Sequence, residues 1–269
     1  MDVIEAWLGD LRRVLDAEAS VVAEVRIGVF YTAAQLASGE TGVAFTPRDL
    51  ADTVCCPRSA AAAPASGRLS GQPAWQLAGE ALSASSLRRA IGVAVLNALS
   101  ARALDAHGVP GGRLLAGVDA LEAAGVRAED RVAMVGAFPP FIKTLKGRVA
   151  ALAIIDKHGE ALKTEEQPMR RAPADAVETL ADASVVVITG SALVEGGLDA
   201  LLDAARSARR VVLAGPTASP WPPPFFERGV HVLGGIRVRD GAAMLRLVGE
   251  GGSGYFFERI AEKIAIVRE

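Results

Sequence analysis

The chain has 269 residues, a formal net charge of −2 at pH 7 and a hydrophobic fraction of 51%. Lysine and arginine are dispersed, which argues against a dedicated nucleic-acid surface, because such a surface needs clustered positive charge. No apolar run reaches the roughly 18 residues that a membrane span requires, and the charged N-terminus is unlike a signal peptide. We therefore expect a cytoplasmic protein with one large domain or two modest ones.

The first elements along the chain predict a helix followed by β-structure. Apolar residues recur on one helical face over 3–17, and a β-rich segment follows over 21–31. A turn at 38–40 then leads into a short strand over 42–46. This order predicts a hairpin with a longer loop.

Two more helices complete the predicted N-terminal domain. They are expected over 73–80 and 85–107, and the second has serine N-cap candidates at its start and a glycine just after its end. The glycine- and proline-containing stretch 108–112 is the best linker signal in the chain. We therefore predict an α+β domain over 1–110 and a second domain over 111–269.

The second half alternates strands with helices. The predicted strands cover 131–135, 149–155, 184–189 and 210–214. The predicted helices cover 118–124, 140–146, 174–181, 198–208 and 241–248. Continuously apolar strands such as VVVIT and VVLA must be covered on both faces, which is typical of a parallel sheet. The pattern predicts an α/β, Rossmann-like, doubly wound domain.

Polar and glycine residues follow the predicted strands, where such a sheet forms its ligand crevice. They are Gly136, Asp156, Thr189-Gly190 and Gly215-Pro216-Thr217. Asp156 stands where a ribose-binding acid would lie, but the glycine-rich fingerprint of a dinucleotide site is missing. Two interpretations stay open: ordinary tight turns, or a small ligand held by backbone groups and hydroxyls, with an anion at the helix N-termini.

Candidate metal ligands are few. Asp156 and Glu195 are the carboxylates near the predicted crevice, and His158 follows the second strand. Cys55 and Cys56 could bind a soft metal as thiolates, or they could be small buried hydrophobes. For each of the three histidines, a structural role is expected rather than metal binding.

The segment WPPPFF over 221–226 is apolar and rich in proline. We interpret it as an exposed element that could cover a cleft or make the contact of a homodimer.

Several segments, in this order, resemble one known family. They are GVFYTAAQL, GVAFTP, SSLRRAIGVAVLNAL, RVAMVGAFPPFI, VVVITGSALVEGGLDALL and VVLAGPTASPWPPPFFERGV. The chain is similar over nearly its whole length to a prokaryotic family to which heavy-metal chelation is ascribed. The resemblance implies a domain like the N-terminal domain of enolase, followed by a Rossmann-like domain.

The resemblance carries over a limited set of ligand-site residues. They are Gly136, Phe138, Pro139, Thr189, Gly190, Gly215, Pro216 and Thr217, with Ser85, Ser86, Gly92 and Asn97 on a helix directed at the domain interface. The chain departs from the family at Glu195, where asparagine is common. It departs again at Asp156, where a motif centred on glutamate is common.

Two functions follow as expectations. The first is a protein that binds a transition metal, or a metal complex, in a cleft between the two domains. The second is an enzyme or binding protein for a small anionic metabolite or nucleotide at the strand C-termini. No particular reaction follows from the sequence.

Overall fold

Two β-sheets organise the chain. The computed structural model describes residues 2–15, 20–47, 64–157 and 159–269. The smaller sheet lies in the N-terminal part, and the larger one contains eight strands.

The small sheet is an antiparallel meander. Its strands are β1 (Val22–Ile27), β2 (Tyr31–Leu36) and β3 (Thr41–Phe45), paired in the order β1-β2-β3. The β-rich segment expected over 21–31 is divided by a turn at Gly28, so it contains β1 and the first residue of β2. The Gly28 amide donates to the carbonyl of Tyr31, and a Cβ on Gly28 would collide with the carbonyl of Val248. That distant contact requires glycine at this turn, and no local pattern reveals it.

The helices of the N-terminal part agree with the predicted ones. They are α1 (Val3–Val14), α2 (Ala74–Ala78), which continues into a 3-10 helix over Gly79–Leu82, and α3 (Ser86–His107). The α3 helix is buried over most of its length and packs on β2 and β3. None of the described helices is long and apolar enough to cross a membrane.

The large sheet confirms the predicted α/β fold. Its strands are β4 (Gly112–Ala116), β5 (Arg131–Val135), β6 (Ala151–Ile155), β7 (Arg170–Arg171), β8 (Val185–Thr189), β9 (Arg210–Ala214), β10 (Val232–Val238) and β11 (Ala261–Arg268). The order is β4-β11-β10-β9-β8-β5-β6-β7. The pairs from β10 to β7 are parallel, and β11 is antiparallel to both β10 and β4.

The strand order creates one topological switch point. From β5 the chain moves outward to β6 and β7, and it then returns to place β8 on the other side of β5. The connections after β5 and β8 therefore diverge, which opens a crevice at the C-terminal ends of these two strands.

Helices cover both faces of the large sheet. One face packs against α4 (Ala120–Ala124) and α5 (Pro139–Leu145). The other packs against α1, α3 and four short helices: α6 (Ala176–Ala181), α7 (Ala192–Glu195), α8 (Leu198–Ala204) and α9 (Pro223–Glu227). This double cover explains the continuously apolar strands.

The last helix, α10 (Gly241–Gly249), packs on the small sheet instead. Its Met244 and Val248 share a buried cluster with Ala33 and Val43. The neighbouring residue Ala34 faces the opposite cluster, which contains α3. The small sheet is therefore a middle layer between α3 and α10.

The WPPPFF segment lies in the core, so its predicted exposure is wrong. Trp221 is 1% exposed and its indole N–H donates to Oδ2 of Asp10 at 2.9 Å. Phe225 is buried and meets the Trp7 ring edge-on, with the ring centroids 5.5 Å apart. These aromatic rings fill the space between α1 and α9, so Trp221 is not available for the dimer contact that the sequence suggested.

Candidate functional site

The turns after β5 and β8 meet at the switch point. Gly136 ends β5 with φ +85°, and a Cβ there would lie 3.1 Å from the Cβ of Thr189. The Gly136 amide donates to the carbonyl of Ile155 at 2.9 Å, which also ties this turn to β6. Only glycine combines this positive φ with so close an approach at low cost. Gly136 and Thr189 therefore form the floor of the crevice.

Asp156 holds two backbone turns together. Its Oδ2 accepts from the amide of Ala137 at 3.2 Å, and its Oδ1 accepts from the amide of Gly159 at 2.7 Å. The carboxylate thus links the turn after β5 to the turn after β6. This arrangement gives Asp156 a positioning role beside the crevice, whatever else it binds.

A charged pair spans the mouth of the crevice. Nζ of Lys157, after β6, lies 3.7 Å from Oε1 of Glu195, at the end of α7. Both residues are exposed. An exposed ion pair contributes little free energy, so either partner can be exchanged for a charged group on a ligand.

The helix N-termini at the crevice offer few amides to an anion. The α5 helix has seven residues and begins with Pro139 and Pro140, which have no N–H. After β8, the Ser191 amide donates to Oγ1 of Thr189 at 3.3 Å, and the Leu193 amide donates to the carbonyl of Gly190 at 3.1 Å. The predicted anion at these helix starts therefore has little geometric support.

An aromatic ring and a bare backbone turn form the next part of the crevice. The half-buried Phe138 stacks on Phe141, with ring centroids 5.2 Å apart. A Cβ on Gly215, after β9, would lie 3.8 Å from Cε1 of Phe138. Gly215 has φ +110°, so its backbone makes a shelf that the Phe138 ring borders.

The N-terminal part supplies a wall through Asn97, the only asparagine in the chain. Its Nδ2 donates to the carbonyls of Val43 at 2.8 Å and Thr217 at 2.9 Å. Oγ1 of Thr217 accepts from the amide of Phe45 at 2.9 Å. The turn after β9 is thus fixed by both α3 and β3. Oδ1 of Asn97 is buried with no partner among the described residues.

Arg89 makes a second connection that sequence reasoning missed. Its Nε donates to the carbonyl of Val194 at 2.6 Å, and Nη2 donates to the carbonyl of Glu195 at 3.3 Å. These carbonyls end α7, where a cation also complements the helix dipole. The predicted Ser85 and Ser86 lie at the start of the same helix, α3, and Ser85 makes no side-chain capping bond. The pair of arginines in SSLRRA was the available signal.

The described side chains do not form a cage for a bare metal ion. Cys55, Cys56 and His158 lie outside the described residues. Within the part of the chain that is described, no three His, Cys, Asp or Glu side chains are grouped to hold a metal. Asp156 is committed to two backbone amides, which leaves Glu195 as the more available carboxylate.

The two described histidines serve the structure. Nε2 of His107 lies 2.9 Å from the carbonyl of Val14. Nδ1 of His231 accepts from the amide of Val211 at 3.1 Å, and burial lowers the pKa of His231.

Comparison with known families agrees with this architecture. The sequence model of the DUF364 family, described as "Putative heavy-metal chelation", matches residues 119–267, which is more than half of the chain. The chain belongs to the DUF364 family. A second model with the same description, DUF4213, matches residues 12–100. A search of proteins with curated functions found no match.

Two solved DUF364 structures share this fold. A protein of unknown function from Pyrococcus horikoshii is 19% identical with a TM-score of 0.76, over 99% of this chain and 100% of its own. A protein of unknown function from Desulfitobacterium hafniense is 21% identical with a TM-score of 0.75, over 98% of both chains. At these identities the likeness establishes the fold of the DUF364 chain and not its function.

Proposed function

We propose that this DUF364 protein binds a heavy-metal ion as a complex with an organic chelator. The site would be the crevice formed by the turns after β5, β8 and β9, with α3 as the wall from the N-terminal part. The description of the family supports the metal, and the switch point supports the location.

The small number of side chains available as metal ligands favours a metal complex over a bare ion. A transition metal bound by protein alone takes at least about three side-chain ligands. The described residues offer no such group, and both oxygens of Asp156 accept bonds from backbone amides. We infer that the remaining donors come from the chelator, and Cys55 and His158 are further candidates outside the described residues.

The crevice residues suit recognition of such a complex. The Thr189 hydroxyl on the floor can accept and donate. At the mouth, Lys157 could leave Glu195 to bind an anionic group of the chelator. Glu195 would then face an open position on the metal. Since this ion pair is exposed, exchanging it costs little.

The walls of the crevice are held in place before any ligand enters. Asn97 and Arg89 fix the turn after β9 and the end of α7 through buried or half-buried hydrogen bonds. A preformed site loses less conformational entropy on binding, which favours affinity.

A pair of matched glycine variants tests the proposal. Gly136→Ala would press a Cβ against Thr189, whereas Gly147→Ala, after α5, imposes a similar positive φ with no atom within 4 Å. Purified protein would be titrated by calorimetry with nickel(II) as the free ion, as its ethylenediamine complex and as its bipyridine complex.

The expected result is that the wild-type protein binds at least one complex more tightly than free nickel(II). Gly136→Ala should weaken that binding at least about tenfold, a change of about 1.4 kcal/mol, while Gly147→Ala retains it. The proposal is wrong if no form of the metal binds, or if both variants bind as the wild type does. Thermal stabilisation by nucleotides or anionic metabolites in the absence of metal would instead favour a protein that binds or converts a small anionic metabolite or nucleotide.

A further inference from the structure

Arg170 lies on the turn after β6, which carries Lys157 to the crevice mouth. Its Nε donates to the carbonyl of Asp156 at 3.1 Å, and its Nη2 donates to the carbonyl of Lys157 at 2.8 Å. Gly159 permits this close approach, because a Cβ there would lie only 2.9 Å from the Arg170 Nε. The guanidinium group is therefore held against the backbone of the residues that reach the mouth.

Arg170 and Arg89 share an unusual feature: both bond backbone carbonyls. Arg89 donates to the carbonyls of Val194 and Glu195 at the end of α7, and to two carbonyls just before α3. Within the described part of the chain, neither arginine forms an ion pair with a carboxylate. A carbonyl oxygen bears no net charge, so the positive charge of both guanidinium groups is left uncompensated.

The charges around the crevice mouth therefore have a positive excess. Arg89, Arg170 and Lys157 supply three positive charges, and Asp156 and Glu195 supply two negative charges. These side chains form one network, joined by the Lys157–Glu195 ion pair and by the bonds from the two arginines to the backbone. The whole chain has a net charge of −2, so the excess is a local property of the mouth.

Lys157 is the member of this network best placed to contact a ligand. Its side chain is 63% exposed, compared with 38% for Glu195, and Nζ lies 3.7 Å from Oε1 of Glu195. That distance is too long for a good hydrogen bond. The three N–H groups of the ammonium group can therefore donate to the oxygen atoms of a ligand.

We propose that the bound metal complex is an anion whose chelator holds the metal through carboxylate groups. One carboxylate would accept hydrogen bonds from the Lys157 ammonium group. This inference rests on the proposed function and names the chemical class of the chelator. A cleft with an excess of one charge concentrates ligands of the opposite charge. The attraction extends over about 8 Å at physiological ionic strength, so Arg89 and Arg170 contribute to it without touching the ligand.

The test compares two nickel(II) complexes of similar shape and opposite charge. Nitrilotriacetate and tris(2-aminoethyl)amine both bind the metal through a central nitrogen and three arms. The arms end in carboxylates in the first complex, which is an anion, and in amines in the second, which is a cation. Lys157→Glu reverses the charge at the mouth, and Lys263→Glu makes the same change at an exposed position on β11. Affinities come from calorimetry at low and high salt.

The wild type should bind the anionic complex at least about tenfold more tightly than the cationic complex, and added salt should reduce this preference. Lys157→Glu should abolish or reverse the preference, because the introduced carboxylate repels the anion. Lys263→Glu should keep it.

Equal affinity for the two complexes, with binding still weakened by Gly136→Ala, would overturn the inference and leave the proposed function intact. A preference that survives Lys157→Glu unchanged would overturn it in the same way. Failure of every form of nickel(II) to bind would refute the proposed function itself. Metal-free nitrilotriacetate that binds as tightly as its complex would also refute the proposed function, since the site would then recognise the anion alone.

Discussion

The substitution Asn97→Asp tests whether the N-terminal part fixes the crevice wall. Asn97 is 2% exposed, and its Nδ2 donates to the carbonyls of Val43 and Thr217. An aspartate of the same shape cannot donate these bonds when ionised. The replacement therefore leaves two carbonyls facing a buried negative charge.

The magnitude follows from the lost bonds and the buried charge. Two hydrogen bonds contribute roughly 1 kcal/mol each, and an unpaired buried carboxylate costs about 3 kcal/mol or more. We expect the free energy of unfolding to fall by at least about 3 kcal/mol at pH 8. Burial raises the folded-state pKa of the introduced carboxyl above its unfolded value of about 3.9, so the penalty grows as the pH rises above about 4. The deficit should therefore shrink on acidification.

Urea unfolding of the wild type and the variant at pH 8 and pH 5 measures this deficit. Gln76→Glu, the same change of amide to acid at an exposed position on α2, is the control. The reasoning fails if Asn97→Asp loses no more stability than Gln76→Glu, or if its deficit is the same at both pH values.

Three further predictions concern the pH dependence and the core. Bonds from Arg209, from the Arg127 amide and from Ser184 lower the pKa of Asp130 from 3.8 to about 2. The lowered pKa corresponds to about 2.4 kcal/mol in the free energy of unfolding at neutral pH. Solvent screening reduces this to about 1–2 kcal/mol, because the Arg209 side chain is 32% exposed. That stability is lost as the pH falls from about 5 to 2. In Asp130→Asn, the plot of unfolding free energy against pH should therefore be flatter over this range. An unchanged slope would contradict this prediction. Burial lowers the pKa of His231, so the free energy of unfolding should fall as the pH drops below about 6.5. His231→Gln should remove that loss, which urea unfolding midpoints at about pH 7.5 and about pH 5.5 would measure. Trp221→Ala should cost about 3–5 kcal/mol without changing sedimentation, whereas a monomer of wild-type stability would restore the dimer-contact interpretation.

The central strands were predictable because each contains a run of consecutive apolar residues. Strand β8 reads VVVIT and is apolar on both faces, so it needs no knowledge of its partners. Strands β4 and β11 pair with each other across about 150 residues of sequence, and β7 has only two residues. Their existence depends on a partner that no local pattern reveals.

The candidate site was predictable where a turn must follow a strand. Gly136, Thr189 and Gly215 were expected at the crevice, and the structure brings them to one edge of the sheet. Arg89 was missed because its partners are backbone carbonyls on another element. The exposure of Trp221 was predicted wrongly because a proline-rich apolar segment has the same sequence pattern whether it is buried in a core or lies on the surface.

The small sheet lies between α3 from its own half and α10 from the other half. A fragment that stops near residue 110 would expose one whole face of this sheet to water, because residues 241–249 normally cover it. The two halves should therefore unfold in a single cooperative transition. Since the same packing opposes movement of one half against the other, we expect a ligand to bind without a large change in the arrangement of the two halves.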